Sequence, residues 1–155
     1  MTTEVRWLSE QEQRIWRQWL HVNSRLTARL AREMIDESGL SLQDFEVLVT
    51  LSEAPDHRVR VVALADEMQW ERSRLSHHLT RMEKRGLVER QQCPQDGRGA
   101  DVVLLPAGLA DLEEAAPGHV RHVRGYLFDV LDPAELAQLD HVTAKVLAAL
   151  GDDAT

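Results

Sequence analysis

The segment between residues 61 and 105 constrains the fold most, because its periodicity changes from helical to extended within one short stretch. Apolar residues at helical spacing predict a short helix over 61–68 and a longer one over about 71–85, with a brief break between them. Gly86 suits the end of the longer helix. Two strand patterns, LVERQQC and DVVLL, then flank a loop rich in Gly and Pro, which predicts a β-hairpin.

Long helices are predicted on both sides of this segment. Ser9 and Glu12 form a capping-box pattern that begins a helix over 9–37, and its apolar stripe favours a core face, although its width also suits a subunit interface. A second helix begins at Ser41, with Asp44 at its third position. The HRVRV segment that follows is left open as a short strand or the start of the next helix.

The C-terminal part is also predicted to be helical. A helix is expected over 106–131, with a kink where Pro117–Gly118 interrupts it. Asp132 then caps a last helix in which Pro133 and Glu135 occupy favourable first-turn positions. The predicted fold class is mostly α with a small β-hairpin wing (α+β), and 1–155 is predicted to be a single domain.

The composition is that of a globular protein. The chain has 155 residues, of which 43% are hydrophobic and 28% charged. It lacks an apolar run of the roughly 20 residues that span a bilayer, and its first residues do not resemble a signal peptide, so we expect a cytoplasmic protein. The single cysteine, Cys93, excludes an internal disulfide, and redox sensing is not expected. Neither a metal nor another cofactor is expected, because the seven histidines do not form a ligand-like cluster with Cys93.

The charge is distributed unevenly along the chain. The formal net charge is −8, but the window from 70 to 100 holds seven basic and four acidic side chains, a net of +3. A local basic patch of this kind is the electrostatic footprint of a nucleic-acid site. The patch alone is weak support, because short windows of +3 are common.

The longer helix of the central segment has the side chains that a DNA recognition helix needs. Its inner positions are apolar, and its outer positions carry hydrogen-bond donors that can contact base edges or phosphates. These outer residues are Arg72, Ser73, Arg74, Ser76, His77, Thr80 and Arg81. Arg72, Arg74 and His77 suit guanine, and Arg81 suits a phosphate. A solvated basic face is the alternative interpretation of the helix alone, and His78 is expected to be packed.

The hairpin loop adds a second candidate contact. Arg98 lies between two glycines at the expected tip, where a thin loop could carry its charge into the minor groove. Asp96 could orient that guanidinium through a charge-assisted hydrogen bond. The alternative is an ordinary exposed Asp-Gly turn.

The combination resembles the MarR family of winged helix-turn-helix regulators. The features that carry the resemblance are Leu64–Ala65, Ser76, the run Arg85–Gly86–Leu87–Val88, and Asp96-x-Arg98 followed by Val103, Leu105 and Gly108. Leu105 departs from the Thr that the family often has at that position. The resemblance covers nearly the whole chain.

The resemblance implies a homodimeric transcription regulator. It implies a DNA-binding lobe over 40–105 and dimerisation helices over 9–37 and 106–150. It also implies that the dimer acts as a repressor and binds a pseudo-palindromic operator. It also implies that a small aromatic or phenolic effector releases the DNA. Trp16, Trp19 and His21 are candidates for lining the effector pocket, although core or dimer-interface anchors are the favoured interpretation of both tryptophans.

Three alternatives follow from the same residues. An enzyme is disfavoured because the sequence has no phosphate-binding loop, nucleophile elbow or HExxH motif. A winged-helix protein-interaction module is favoured slightly by the net charge of −8 and opposed by the basic window and Arg98. An effector-independent regulator is equally compatible with the sequence.

Overall fold

The computed structural model describes residues 5–92 and 99–151. Its elements in chain order are α1 (Glu10–Ser38), α2 (Leu42–Glu53), β1 (Arg58–Arg60), α3 (Val61–Glu67), α4 (Arg72–Lys84), β2 (Val88–Gln92), β3 (Ala100–Leu104), α5 (Pro106–Tyr126) and α6 (Pro133–Leu150). The chain divides into two compact units, of which the first ends at His119 and the second begins at Val120. Within the described ranges, every helix is too short or too polar to cross a bilayer.

Three of the helices begin with reciprocal capping boxes. At α1, the Ser9 hydroxyl accepts a hydrogen bond from the Glu12 backbone N–H, and the Glu12 carboxylate accepts one from the Ser9 backbone N–H. The same arrangement joins Ser41 with Asp44 at α2, and Asp132 with Glu135 at α6. Each box satisfies two N–H groups that lack helical partners and stabilises its helix by about 1 kcal/mol. The three predicted helix starts are therefore confirmed.

The sheet has three antiparallel strands in the order β1-β3-β2. In the hairpin, Val88 lies opposite Leu104, and on the other side of β3, Arg58 lies opposite Val103. The HRVRV segment therefore contains a strand, which answers the question that the sequence left open. The third strand stabilises the hairpin, because an isolated two-stranded hairpin is only marginally stable in water. The fold is mostly helical with a small wing, as predicted.

The core of the first unit joins the helix-turn-helix segment to its surroundings. Side chains from α2, α3, α4 and the hairpin are buried together; they include Leu48, Leu51, Leu64, Leu75, Leu79, Met82, Val88 and Val102. Burial of each such side chain contributes about 1.5–3 kcal/mol. The inner face of α4 is thereby fixed against α2, α3 and β2, which determines the face that α4 presents to solvent.

Two glycines have specific structural roles. Gly86 adopts a left-handed backbone conformation (φ 74°) just after α4, which lets the chain turn into β2. Gly108, near the start of α5, lies against the backbone of Leu87, and a Cβ atom there would overlap the Leu87 carbonyl oxygen. Any larger residue at 108 would push α5 away from the hairpin.

The predicted end of the helix over 106–131 is wrong. The observed α5 continues through Pro117 and ends at Tyr126, and a separate 3-10 turn covers Phe128–Val130. The break occurs because the backbone of Leu127 leaves helical geometry, with φ −127° and ψ −61°. A proline removes one helical hydrogen bond, and here the loss does not end the helix.

Candidate nucleic-acid interface

A tight turn connects α3 to α4 and fixes the angle between them. Gln69 has a positive φ of 53°, and the backbone N–H of Trp70 donates to the Ala65 carbonyl oxygen at 2.9 Å. Leu64 and Ala65 of α3 are buried, as are Leu75 and Leu79 of α4, so the two helices are held by a common core. The segment therefore forms a helix-turn-helix with α4 in the position of the recognition helix.

Most of the predicted contact residues lie on the outer face of α4. Five of the seven are exposed: Arg72, Ser73, Arg74, His77 and Arg81. Lys84, which sequence reasoning counted only as part of the basic window, continues this face one turn beyond Arg81 and is also exposed. Its spacing from His77 is a helical i, i+7 relation, which could have identified it.

The other two predicted residues, Ser76 and Thr80, are half-buried beside β2. Arg90 of β2 donates to the Ser76 hydroxyl at 3.2 Å and to the Thr80 hydroxyl at 2.8 Å. The same guanidinium pairs with the Glu83 carboxylate at 2.6 Å, and the Arg90 backbone N–H also donates to Glu83. We call these four residues the Arg90 cluster.

Within the Arg90 cluster, the positive charge of Arg90 is paired with the negative charge of Glu83. Burial alone would raise the pKa of the Glu83 carboxyl, but its hydrogen bonds and ion pair with Arg90 outweigh burial and lower that pKa. Glu83 is thus held in its charged form and neutralises Arg90. Arg90 fixes the hairpin to α4 and does not add to the exposed positive charge.

A second set of contacts runs along the opposite edge of α4, beginning at Trp70. The Arg74 guanidinium carbon lies 4.3 Å from the centre of the Trp70 ring, which is a cation–π distance. The Trp70 ring also meets the His78 ring edge-on, with 5.3 Å between the ring centres. A guanidinium nitrogen of Arg81 lies 2.9 Å from His78 Nδ1. We call Trp70, Arg74, His78 and Arg81 the α4 ladder.

Asp44 of α2 anchors this edge of α4 to the rest of the unit. Its carboxylate is 4% exposed, accepts a hydrogen bond from Arg85 at 2.6 Å, and lies 3.0 Å from His78 Nε2. The His78 contact has the distance of an ion pair, but its alignment is poor for a hydrogen bond. Burial alone would raise the pKa of the Asp44 carboxyl; His78, Arg85 and the Ser41 backbone N–H outweigh burial and hold that pKa well below its usual range. Asp44 is therefore ionised at neutral pH.

Sequence reasoning identified Asp44 only as a helix-capping residue. Its second role depends on two residues of α4, Arg85 and His78, which are far away in sequence. The packed position of His78 was predicted and is confirmed, since this residue is 7% exposed. Glu46, two residues further along α2, also lies near this edge: burial raises the pKa of its carboxyl, while Arg74 and His78 act in the opposite direction.

A cavity of about 460 Å³ opens beside the α4 ladder. Its lining comes from the end of α1, the start of α2 and one edge of α4, and it includes Ile35, Ser41, Trp70, Arg74, Arg81 and Arg85. An aromatic ring and three guanidinium groups at one cavity suit a flat anionic molecule.

The residues proposed for an effector pocket on α1 lie elsewhere. Trp16 is 52% exposed and Trp19 is 46% exposed, so the first part of their stripe is not a core face of the single chain, whereas Met34 at the other end of the stripe is buried. Of the α1 residues, only Met34 is buried. His21 lines a shallow groove formed by α1 side chains alone, which include Gln13, Arg14 and Arg17. Neither of the two described cavities includes Trp16 or Trp19 in its lining.

The wing contains both described and undescribed parts. Asp96 and Arg98, which were predicted to contact DNA, and Cys93 lie outside the described residues. At the described base of the wing, the Asp101 carboxylate lies 3.2 Å from Arg58 and 3.5 Å from Arg60. These contacts join β1 to β3 and fix the start of the second wing strand.

Comparison with known proteins gives a consistent result. The family model described as the MarR family matches residues 40–99. The crystal structure of AbsC, a MarR family transcriptional regulator from Streptomyces coelicolor, superposes with a TM-score of 0.88 at 40% sequence identity, covering 94% of this chain and 98% of that one. Sco3205, a MarR family transcriptional regulator from the same organism, was solved in complex with DNA. It superposes with a TM-score of 0.90 at 37% sequence identity, covering 96% of this chain and 93% of that one.

A curated sequence relative agrees with these structures. The transcriptional repressor MprA of Escherichia coli (strain K12) is 26% identical over 140 residues, which cover 90% of this chain and 78% of MprA. These relatives are transcriptional regulators, not enzymes. With a relative at 40% identity that is covered almost completely, the chain belongs to the MarR family of transcriptional regulators.

Proposed function

We propose that this protein is a sequence-specific DNA-binding repressor that acts as a homodimer on a pseudo-palindromic operator. The observation that carries the proposal is the outer face of α4, where Arg72, Ser73, Arg74, His77 and Arg81 are exposed while the inner face is fixed in the core. Sco3205 was solved in complex with DNA, and MprA is a repressor, which supports the same function here.

Each side chain of this face has a proposed role. Arg72, Arg74 and His77 donate to guanine O6 and N7 in the major groove, and Ser73 contacts a base or a phosphate. Arg81, two turns further on, contacts a phosphate. Ser76 contacts DNA by donating its hydroxyl proton, because Arg90 uses only an acceptor lone pair of that hydroxyl. The Thr80 hydroxyl donates to the Ser76 carbonyl oxygen and accepts from Arg90, so it contacts DNA through its one remaining acceptor lone pair.

The wing is proposed to make a second contact, in the minor groove. Arg98 enters the groove and Asp96 orients it, because the negative potential of a narrow minor groove favours a guanidinium. The three-stranded sheet supports this role by fixing both strands that lead to the tip.

The homodimer is supported by apolar side chains that the single chain leaves exposed. On α1 these are Ile15, Trp16, Trp19, Leu20 and Val22, and on α6 they are Val142, Val146, Leu147 and Leu150. Exposed apolar faces of this size mark association surfaces in water-soluble domains. We therefore assign 9–37 and 106–150 to dimerisation and 40–105 to the DNA-binding lobe.

We also propose that a small aromatic or phenolic effector releases the DNA. The cavity beside the α4 ladder supports this proposal more strongly than Trp16, Trp19 and His21 do, because it combines an aromatic ring with three guanidinium groups next to the recognition helix. A ligand that binds there would contact the residues that face DNA. Without such a ligand, the protein would be an effector-independent regulator.

A footprinting experiment tests the proposed function. The wild-type protein is used to select duplexes from its fragmented genomic DNA, and the selected fragment is footprinted. The expected result is two protected half-sites whose centres are about one helical turn, roughly 10–10.5 base pairs, apart. The Arg74→Ala variant should lose the pattern at equal concentration, while the control Arg6→Ala, which removes the same charge from an exposed position that precedes α1, should keep it. Selection of no fragment, with a protein partner captured instead, would support the protein-interaction module.

A further inference from the structure

The α4 ladder places one aromatic side chain against each of two arginines that face solvent. Trp70 lies four residues before Arg74, and its ring contacts the Arg74 guanidinium. His78 lies three residues before Arg81, and its Nδ1 contacts the Arg81 guanidinium. Both arginines are exposed, whereas Trp70 is half-buried and His78 is buried. The aromatic partner is thus on the core side of each pair, and the cation is on the solvent side.

We propose that Trp70 and His78 are positioning residues, which hold the guanidinium groups of Arg74 and Arg81 in the orientation required for binding DNA. The inference rests on the proposed function, because it assumes that α4 is the recognition helix. It adds two residues to the DNA-binding machinery that do not themselves touch DNA.

The contact between Trp70 and Arg74 restricts a flexible side chain before DNA arrives. A free arginine on a helix surface samples many rotamers, and binding must remove that freedom. The Trp70 ring is held in turn by the His78 ring, which meets it edge-on, and by its packing against the core. The guanidinium edge retains its N–H donors because the ring contacts only its face, so Arg74 can still make a bidentate contact with a guanine.

The contact between His78 and Arg81 bears on which ring nitrogen of His78 carries the proton. A guanidinium has no acceptor, so a hydrogen bond between these groups requires the tautomer in which His78 Nδ1 accepts and the proton is on Nε2. Nε2 faces the Asp44 carboxylate at 3.0 Å, and Asp44 is ionised at neutral pH because its pKa is lowered. The buried carboxylate therefore favours the tautomer that holds Arg81. Only one of the five N–H groups of Arg81 is used, which leaves the others for a phosphate.

Other charged groups face the same edge of α4. Arg85 neutralises Asp44 from the next turn, and Glu46 of α2 lies close enough for its carboxyl to respond to Arg74 and His78. Glu46 would draw the Arg74 guanidinium toward α2 if the Trp70 contact were absent. Trp70 therefore competes with this carboxylate and keeps Arg74 on the outer face.

A double-mutant cycle separates positioning from simple packing. Affinity is measured for a duplex that the wild-type protein selects from a randomised library, and for a scrambled duplex of equal length. If Trp70 acts through Arg74, Trp70→Leu should weaken binding of the selected duplex about two- to fivefold, the usual range of a cation–π contact. In an Arg74→Ala background, the same Trp70→Leu change should have no further effect on affinity.

The second pair is tested in the same way. His78→Leu should weaken binding of the selected duplex. His78→Asn should recover most of the affinity, because its amide oxygen can accept the hydrogen bond from Arg81. In an Arg81→Ala background, neither change should alter the affinity. Trp70→Phe serves the first pair as the conservative variant, since it keeps an aromatic face. Thermal unfolding is measured for every variant, so that a loss of affinity can be distinguished from a loss of the folded structure.

The outcomes distinguish the two proposals. If the wild-type protein shows no preference for the selected duplex, both the proposed function and the positioning role are overturned. If the wild-type preference is present but the losses from Trp70→Leu and Arg74→Ala simply add, Trp70 acts by packing and the positioning role alone is overturned. Full coupling in both cycles, with rescue of the affinity by the conservative variants, supports the positioning role of Trp70 and His78.

Discussion

The Asp44 carboxylate should be one of the most important polar groups for the stability of the first unit. Replacing Asp44 by Asn keeps the shape of the side chain and removes its charge. Hydrogen bonds to charged groups contribute about 1.5–3 kcal/mol. The Arg85 side chain is 42% exposed and can turn to water in the variant, so its contribution must be reduced for solvent screening. We therefore expect Asp44→Asn to lower the free energy of unfolding by about 2 kcal/mol at neutral pH.

This destabilisation should depend on pH in a defined direction. The pKa of Asp44 is lower in the folded protein than in the unfolded chain, so the charged contacts contribute fully above the ordinary aspartate pKa of about 3.9. The contribution is lost as the pH falls through the lower, folded-state pKa. The difference between wild type and variant should therefore be largest at neutral pH and should shrink below about pH 4.

Urea unfolding at a fixed protein concentration measures this difference at each pH. Fixed concentration is necessary because dimerisation would make apparent stability depend on it. The matched control is Asp66→Asn, which removes an exposed carboxylate from α3 and should change stability little. The reasoning is refuted if Asp44→Asn is as stable as wild type at neutral pH, or if the difference stays constant down to about pH 3.

Three further predictions follow from other contacts. Glu83→Gln should lower the free energy of unfolding by about 1 kcal/mol in urea, because it weakens the partly exposed pair with Arg90; unchanged stability would show that the pair is screened by solvent. Trp19→Glu should reduce the mass in sedimentation equilibrium to that of one 17.6 kDa chain, because it places a charge in the proposed dimer interface; a persistent dimer would exclude that face. Gly108→Ala should lower the melting temperature, because its Cβ overlaps a carbonyl oxygen, whereas Gly125→Ala, in open space on the same helix, should raise it or leave it unchanged.

Local signals were sufficient to predict most of the fold. The capping boxes at Ser9, Ser41 and Asp132 determine helix starts through residues three positions apart, so the sequence shows them directly. The buried face of α4 follows from its apolar spacing for the same reason. The end of α5 could not be predicted, because the break comes from the backbone of Leu127, which no Pro or Gly marks.

The candidate site was predictable only on its exposed face. The outer residues of α4 could be named because helical spacing separates outer from inner positions. Their contacts could not be predicted, since the Arg90 cluster and the Asp44 contacts join residues from different elements. Counting charges in a sequence window treated Arg85 and Arg90 as free cations, whereas each is paired with a carboxylate.

The central claim is that this acidic chain is a specific DNA-binding protein. Fluorescence anisotropy tests it most directly: the wild-type protein is titrated onto labelled duplex from the region upstream of its own gene and onto a scrambled duplex of equal length, across a series of salt concentrations. We predict a preference of at least about 10³ for the native duplex. The logarithm of the affinity should fall linearly with the logarithm of the salt concentration, and Arg81→Ala should reduce that slope by about one per protomer. Equal affinity for both duplexes, or no binding even at low salt, would contradict the account.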